Sequence, residues 1–342
     1  MPNERIAALH PGRALAVAGL VVLGIASIVG SGGGIEGCGW FGGNDCPPVT
    51  GPFPPLSAAF IQPQRMTLQV GGSVTFTVQT IGVDSPSFQW SRSSNGGTFV
   101  DVAGATGSTY PLAAVNLADD GTQLRVVVRD SNGTEVAWGY ALLAVSSMPG
   151  LLVEEGEFAL DDWAVSAVAS PATNGPMHGE EQALTGGNPG AFRQMVYTLP
   201  EGPSSLQVMH TAQTKSYDPA TQGAIYVIDY AEDCIAPSNT TSTYLVASRL
   251  LVEQAGRRFV TSGFSYCNVN SWSALPLQST LGVQDFVLLD GPACTGNESC
   301  PDFSAGAAPM HFGFVRESRA AAGVGGVIVH GIDNWKVTVW RH

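Results

Sequence analysis

The chain has 342 residues, 44% of them hydrophobic and 13% charged, which is enough apolar material for packed cores and too little charge for a disordered chain. The length fits two or three domains, and 42 glycines and 22 prolines scattered between short apolar runs favour an all-β chain rich in turns. The formal net charge is −13, and the only lysines are Lys215 and Lys336. Such a polyanion gains nothing from counterion release and is repelled by anionic lipid, so nucleic acid and membrane surfaces are excluded as partners.

Residues 1–31 read as a signal peptide. Arg5 and Arg13 precede a 16-residue apolar run from Ala14 to Val29, followed by the small residues Gly30 and Ser31. The alternative is a short N-terminal membrane anchor, because the run falls just under the usual spanning length. Lipidation at Cys38 is disfavoured: Glu36 is wrong for a lipobox, and the cysteine lies well past the apolar run. Residues 32–63 form a Gly/Pro-rich tether, flexible near the leader and stiffened by prolines before the first domain. These features predict export to the periplasm, the outer surface or the medium.

Residues 64–146 carry the clearest fold signal. Val74, Phe76 and Val78 alternate with polar residues, as do Leu124, Val126 and Val128. Trp90 lies between these runs, and Asp119-Asp120-Gly121 just before the second. Asp130 to Gly133 turns the chain into a last strand. This order resembles the I-set-like immunoglobulin domains of bacterial surface and secreted proteins, in which a strand-C tryptophan packs between strands B and F. Val78 and Val126 stand where the inter-sheet disulfide would be, and Leu124 where a tyrosine is common. The resemblance implies a spacer or an adhesion module.

After the short linker 146–150, residues 151–342 are too long for a second such domain. Strands are predicted at 163–168, 192–199, 205–210, 223–230, 242–252, 258–262, 285–289, 311–315 and 327–339. That pattern predicts a larger jelly-roll β-sandwich, so the chain as a whole is all-β. The unit opens with Gly156-Glu157-Phe158 and Trp163, has Gly186-Gly187-Asn188-Pro189-Gly190 in the middle, and closes with Ile332-Asp333-Asn334-Trp335. These three segments resemble carbohydrate-binding jelly rolls of the galactose-binding-like type, although Ala159 replaces their usual glutamate.

Six cysteines support export and disulfides over metal, since no C-x-x-C pair or histidine at ligand spacing accompanies them. Sequence proximity favours Cys38–Cys46, Cys234–Cys267 and Cys294–Cys300 among the fifteen pairings that six cysteines allow.

The resemblance to carbohydrate-binding jelly rolls implies a structural calcium ion held by Glu157 and Asp333, with Asp161 and Asp162 as further carboxylates. The alternative is that Asp333 hydrogen-bonds locally in a turn. Sugar binding needs aromatic faces beside planar polar groups, which points to Tyr266, Asn268, Asn270 and Trp272, with Tyr217 and Tyr230 in reserve. Trp90, Trp163 and Trp335 are expected in the core. No catalytic motif is present, and the acidic groups at 154–162 and at Asp229, Glu232 and Asp233 read as solvated turn residues. Asn132, Asn239 and Asn297 fit the glycosylation pattern but read as loop asparagines. The expectation is therefore a non-enzymatic exported protein that binds an extracellular glycan or a surface protein. A structural surface component and a glycan-active hydrolase are the rivals.

Overall fold

The computed structural model describes residues 57–342, apart from 95, 172–174, 237–245, 268–269, 290, 292–293, 297–298 and 321–324. The leader, most of the tether, Cys38, Cys46, Asn239, Asn268 and Asn297 lie outside the described residues. What is described is almost entirely strand.

The first sandwich is built from β1 (Ala58–Gln62), β2 (Arg65–Gln69), β3 (Val74–Ile81), β4 (Ser87–Ser94), β5 (Val100–Asp101), β6 (Thr109–Leu112), β7 (Thr122–Arg129) and β8 (Glu135–Ser146). A three-stranded sheet, β1-β3-β6, faces a five-stranded one, β2-β8-β7-β4-β5. The first strand is divided between the sheets: β1 pairs antiparallel with β3, while β2 runs parallel to β8. This is the immunoglobulin arrangement. Val78 and Val126, at the two disulfide positions, are buried with Trp90, Phe76 and Leu124 in one apolar cluster. Trp90 stacks on Tyr110 with ring centroids 5.4 Å apart and donates its indole N–H to Gly107 O at 2.9 Å. Packing therefore occupies the place of a bridge. At the corner before β7, Asn116 and Asp119 form a capping box and Arg92 pairs with Asp119 at 2.6 Å.

The second sandwich comprises β9 (Leu151–Glu155), β10 (Trp163–Ser170), β11 (Met177–Gly187), β12 (Gly190–Leu199), β13 (Ser204–Tyr217), β14 (Val227–Ile235), β15 (Val246–Gln254), β16 (Arg257–Thr261), β17 (Ser265–Cys267), β18 (Ser273–Ala274), β19 (Gln278–Leu281), β20 (Phe286–Leu288), β21 (Met310–Ala320) and β22 (Gly326–Trp340). One seven-stranded sheet follows the path β10-β13-β21-β15-β16-β20, with β17 beside β15. The other follows β11-β12-β22-β14-β18, with β9 beside β22 and β19 beside β14. Cys234 on β14 and Cys267 on β17 are buried and bonded, so this disulfide ties one sheet to the other. Cys294 and Cys300 staple the excursion between β20 and β21. Two disulfides fit an oxidising compartment. No helix among the described residues is long and apolar enough to cross a membrane.

The three sequence segments that carried the second resemblance meet in space. Trp163 lies 5.7 Å from Phe158, 5.4 Å from Trp335 and 5.3 Å from Phe314, centroid to centroid, at the centre of the core. The β11–β12 turn is pinned to β22, because Asn188 N donates to Asp333 and Asn334 Nδ2 donates to Asn188 O.

The two sandwiches also share a polar interface. Asp229 on β14 is buried; its Oδ1 accepts from Thr67 Oγ1 at 2.8 Å, Ser279 Oγ at 2.7 Å and Thr280 N at 2.8 Å. Its Oδ2 accepts from Trp340 Nε1 at 2.9 Å. Arg65 on β2 reaches both oxygens of Asp285 at 3.0 Å and Thr280 O at 2.6 Å. Asp120 accepts from Val145 N within the first sandwich and from the Tyr226 hydroxyl of the second, at 2.7 and 2.6 Å. The segment 146–150 is packed rather than loose: a Cβ on Gly150 would lie 2.5 Å from Thr338 Cγ2. The first sandwich is docked on the second through hydrogen-bonded side chains from both.

Candidate functional site

The segment expected to bind sugars is divided between the two sheets. Tyr266 lies on β17 with its ring 5.0 Å from Phe264. Trp272 precedes β18, which belongs to the other sheet. Its indole N–H donates to Gly186 O at 2.6 Å and its ring meets Phe192 edge-on at 5.1 Å, so it clamps the β11–β12 turn. Asn270 is exposed between them. The reserve tyrosines are core residues: Tyr217 donates to Gly223 O at 2.7 Å, and Tyr230 donates to Glu232.

Asp333 is buried, and its two oxygens accept backbone N–H groups of Asn188 and Asn334. Burial pushes its carboxyl above the usual range; these hydrogen bonds pull it down, and the charges of Asp233 and Glu157 push it further up. Asp233 in turn accepts from Asn188 Nδ2 at 2.9 Å and Asn334 Nδ2 at 2.7 Å. Glu157 is exposed, and its backbone N–H is held by Glu155 Oε1 at 2.9 Å. Asp161 and Asp162 sit in the single turn that leads into Trp163. Among the described residues, no three His, Cys, Asp or Glu side chains are grouped closely enough to share a metal ion. Asp333 locks the β11–β12 turn through its two backbone hydrogen bonds.

Asp229 and Glu232, read from sequence as solvated, are both buried. Their phase explains the error. Asp229 faces the first sandwich, and Glu232 faces the interior of the second, where Arg316 pairs with it at 2.7 Å.

The aromatic groups best placed to meet a ligand lie elsewhere, on the first sandwich. Along β8 the inward positions are Ala137, Gly139, Ala141 and Leu143, all buried. Gly139 has no room for a side chain, since a Cβ there would stand 3.0 Å from Ile61 and 3.1 Å from Val126. The outward positions are Trp138 and Tyr140, 54% and 45% exposed. Successive outward residues on a strand stand about 7 Å apart. Beside them on β7 are Val127, opposite Trp138, and Arg125, opposite Tyr140. Phe99 meets Tyr140 edge-on at 6.0 Å, and the Arg125 guanidinium lies over Phe99 at 4.8 Å. Ser91 donates to Asp101 at 2.7 Å next to this guanidinium, and Arg125 Nε has no hydrogen-bond partner among the described residues. The result is an exposed pair of aromatic side chains on one sheet face, with the Arg125 guanidinium and the Asp101 carboxylate beside it. Such a surface can hold a ring that is apolar on one face and hydroxylated at its rim. Sequence reading passed over this pair, although the signal was there: two aromatics alternating with Ala and Gly on the terminal strand.

No known family profile matches the chain. Over 83 residues, 24% of the chain, it is 35% identical to Endoglucanase C of Cellulomonas fimi, and this stretch covers 7% of that protein. The chain thus spans a small fraction of the curated relative it matches. Two solved chains described as marsupial T cell receptor align at a TM-score of 0.23 with 10% and 11% identity. They cover 45% of this chain and 93% and 91% of their own. A likeness that small carries no argument, and the immunoglobulin-like assignment rests on the strand order.

Proposed function

We propose that this is an exported, non-catalytic protein that binds a neutral extracellular polysaccharide through the outer face of its immunoglobulin-like sheet. The observation that carries the reading is the exposure of Trp138 and Tyr140 on one sheet face beside Arg125. Large aromatics exposed in a row on a soluble domain mark an interaction surface. The net charge of −13 disfavours acidic glycans and selects a neutral chain. The partial match to an endoglucanase supports a polysaccharide setting. Export rests on the basic and apolar leader together with the two disulfides. In this reading the second sandwich, a jelly roll of the carbohydrate-binding type by its three motif segments, acts as a rigid base for the first.

A glycan array carrying neutral and acidic polysaccharides, read with and without EDTA, tests the proposal. Retention on neutral chains in both conditions is expected. Retention on no glycan, or on acidic chains alone, would overturn it and leave a structural surface component. Reducing ends released from a bound chain would establish a hydrolase instead.

A further inference from the structure

The interior of the second sandwich is polar at its centre. On β12, β13, β21 and β22, the positions in phase with the apolar core include Arg193, His210, Arg316 and His330, each at most 1% exposed. Tyr197 and Ser318 are inward neighbours on β12 and β21, and Ser248 lies opposite Arg316 on β15. On one sheet His210 is opposite Phe314, one inward step from Arg316; on the other His330 is opposite Met195, one inward step from both Arg193 and Tyr197. The His210 ring stacks on Phe314 at 4.4 Å, and the Arg316 guanidinium lies over the same ring at 5.2 Å. The Arg193 side chain on β12 reaches the His210 ring on β13, so groups from the two sheets meet in one cluster.

Partners account for only part of its hydrogen-bonding capacity. Arg316 Nη1 donates to Glu232 Oε1 at 2.7 Å and to Ser248, and Tyr230 occupies the other oxygen of Glu232. Arg193 Nε donates to His210 Nδ1 at 3.2 Å, which places the ring proton on Nε2. Among the described residues no partner is found for Arg193 Nη1, Arg316 Nε and Nη2, His210 Nε2, the hydroxyls of Tyr197 and Ser318, or either nitrogen of His330. The remaining groups are mostly donors. Among the described residues, Glu232 pairs with Arg316 and no carboxylate is in contact with Arg193; Glu180 acts on Arg193 from a distance and is itself paired with His178 at 2.7 Å. A buried guanidinium without an anionic contact is costly. Water relieves it incompletely, because each water brings two hydrogens that need acceptors of their own. An acceptor-only occupant does not.

We infer that the core of the second sandwich binds a small monovalent anion of the chloride class, held by Arg193, Arg316 and His210 and capped by the hydroxyls of Tyr197 and Ser318. The site is internal and independent of the polysaccharide surface. The ion would belong to the folded state, linking halide concentration to stability.

The test uses the full chain. Crystals grown in sodium bromide should show an anomalous peak between the Arg193, Arg316 and His210 nitrogens. Thermal unfolding at constant ionic strength should rise when gluconate is replaced by chloride or bromide. The rise should be roughly 5 °C or more at a hundredfold excess over the dissociation constant. Arg193→Met should lose this halide response. Should that variant fail to fold, Tyr197→Phe and Ser318→Ala remove single donors and should each reduce the response while keeping the fold. Interior density without an anomalous signal, or equal melting in gluconate and halide, would overturn the inference.

Discussion

Replacing Asp229 by alanine probes the interface that joins the two sandwiches. The carboxylate accepts four hydrogen bonds, from Thr67, Ser279, Thr280 N and Trp340 Nε1, and one of these donors belongs to the other sandwich. Bonds to a charged acceptor contribute about 1.5–3 kcal/mol each, but four bonds to one group are not additive. Thr67 and Ser279, 3.3 Å apart, can also turn to each other once the acceptor is gone. Thr280 N and the Trp340 indole have no such option. The expected loss is therefore about 2–5 kcal/mol, since each buried neutral donor left unsatisfied costs about 1–3 kcal/mol. Asp229→Asn keeps the shape but turns one side into a donor, and should cost about half as much. Guanidinium unfolding followed by tryptophan fluorescence reports both, with the slope unchanged if the transition stays cooperative. A loss below about 1 kcal/mol for Asp229→Ala would refute the view that this carboxylate fastens the first sandwich to the second.

The remaining predictions concern the second sandwich and the exposed aromatic pair. Removing Cys234–Cys267, which closes a 33-residue separation, should cost about 3–4 kcal/mol, and removing Cys294–Cys300, with a separation of 6, about 2 kcal/mol; paired alanine variants in denaturant titrations give the values. Burial, with the nearby arginines, holds the His210 and His330 rings well below their ordinary value of 6.5. The unfolded chain therefore binds more protons below that pH. Stability should be full above about pH 6.5 and fall as pH drops, by at most roughly 1.4 kcal/mol per unit for each ring, as read from denaturation midpoints between pH 7.5 and 5. Melting should be equal in calcium and in EDTA, because the Asp333 oxygens already hold two backbone N–H groups; a rise with calcium would restore the Glu157–Asp333 ion site. Trp272→Ala should lower stability by about 2 kcal/mol through the loss of its clamp on Gly186 and Phe192, and leave glycan affinity unchanged in a binding titration.

The strands legible in the sequence are those with one apolar face. Residues 192–199 and 327–339 were expected as strands, and β12 and β22 enclose them, because Met195, Tyr197 and Leu199 keep the period of two, as do Ile328 and Ile332 and, after a register shift at Asp333 and Asn334, Trp335, Val337 and Val339. β11 was missed. It is an edge strand whose Glu180, Glu181 and Gln182 carry no apolar phase, and only pairing with β12 defines it. The polar cluster was hidden by residue type, since arginine and histidine read as surface. Phase would have exposed it: Arg316 continues Phe312 and Phe314, His210 continues Leu206 and Val208, and His330 stands between Ile328 and Ile332. The interface was not legible at all, because nothing local distinguishes Asp229 or Thr67 from a solvated strand residue. The exposed pair on β8 was legible as well, as two aromatics alternating with Ala and Gly on a terminal strand.

The central claim is that Trp138 and Tyr140 form the polysaccharide-binding face. Calorimetric titration of a neutral oligosaccharide, taken from the polysaccharide retained on the array, into wild type and the Trp138→Ala/Tyr140→Ala variant tests it most directly. The account predicts a loss of affinity of at least about tenfold with the melting temperature nearly unchanged, since both rings are already half in solvent. Wild-type affinity in the double variant would contradict it.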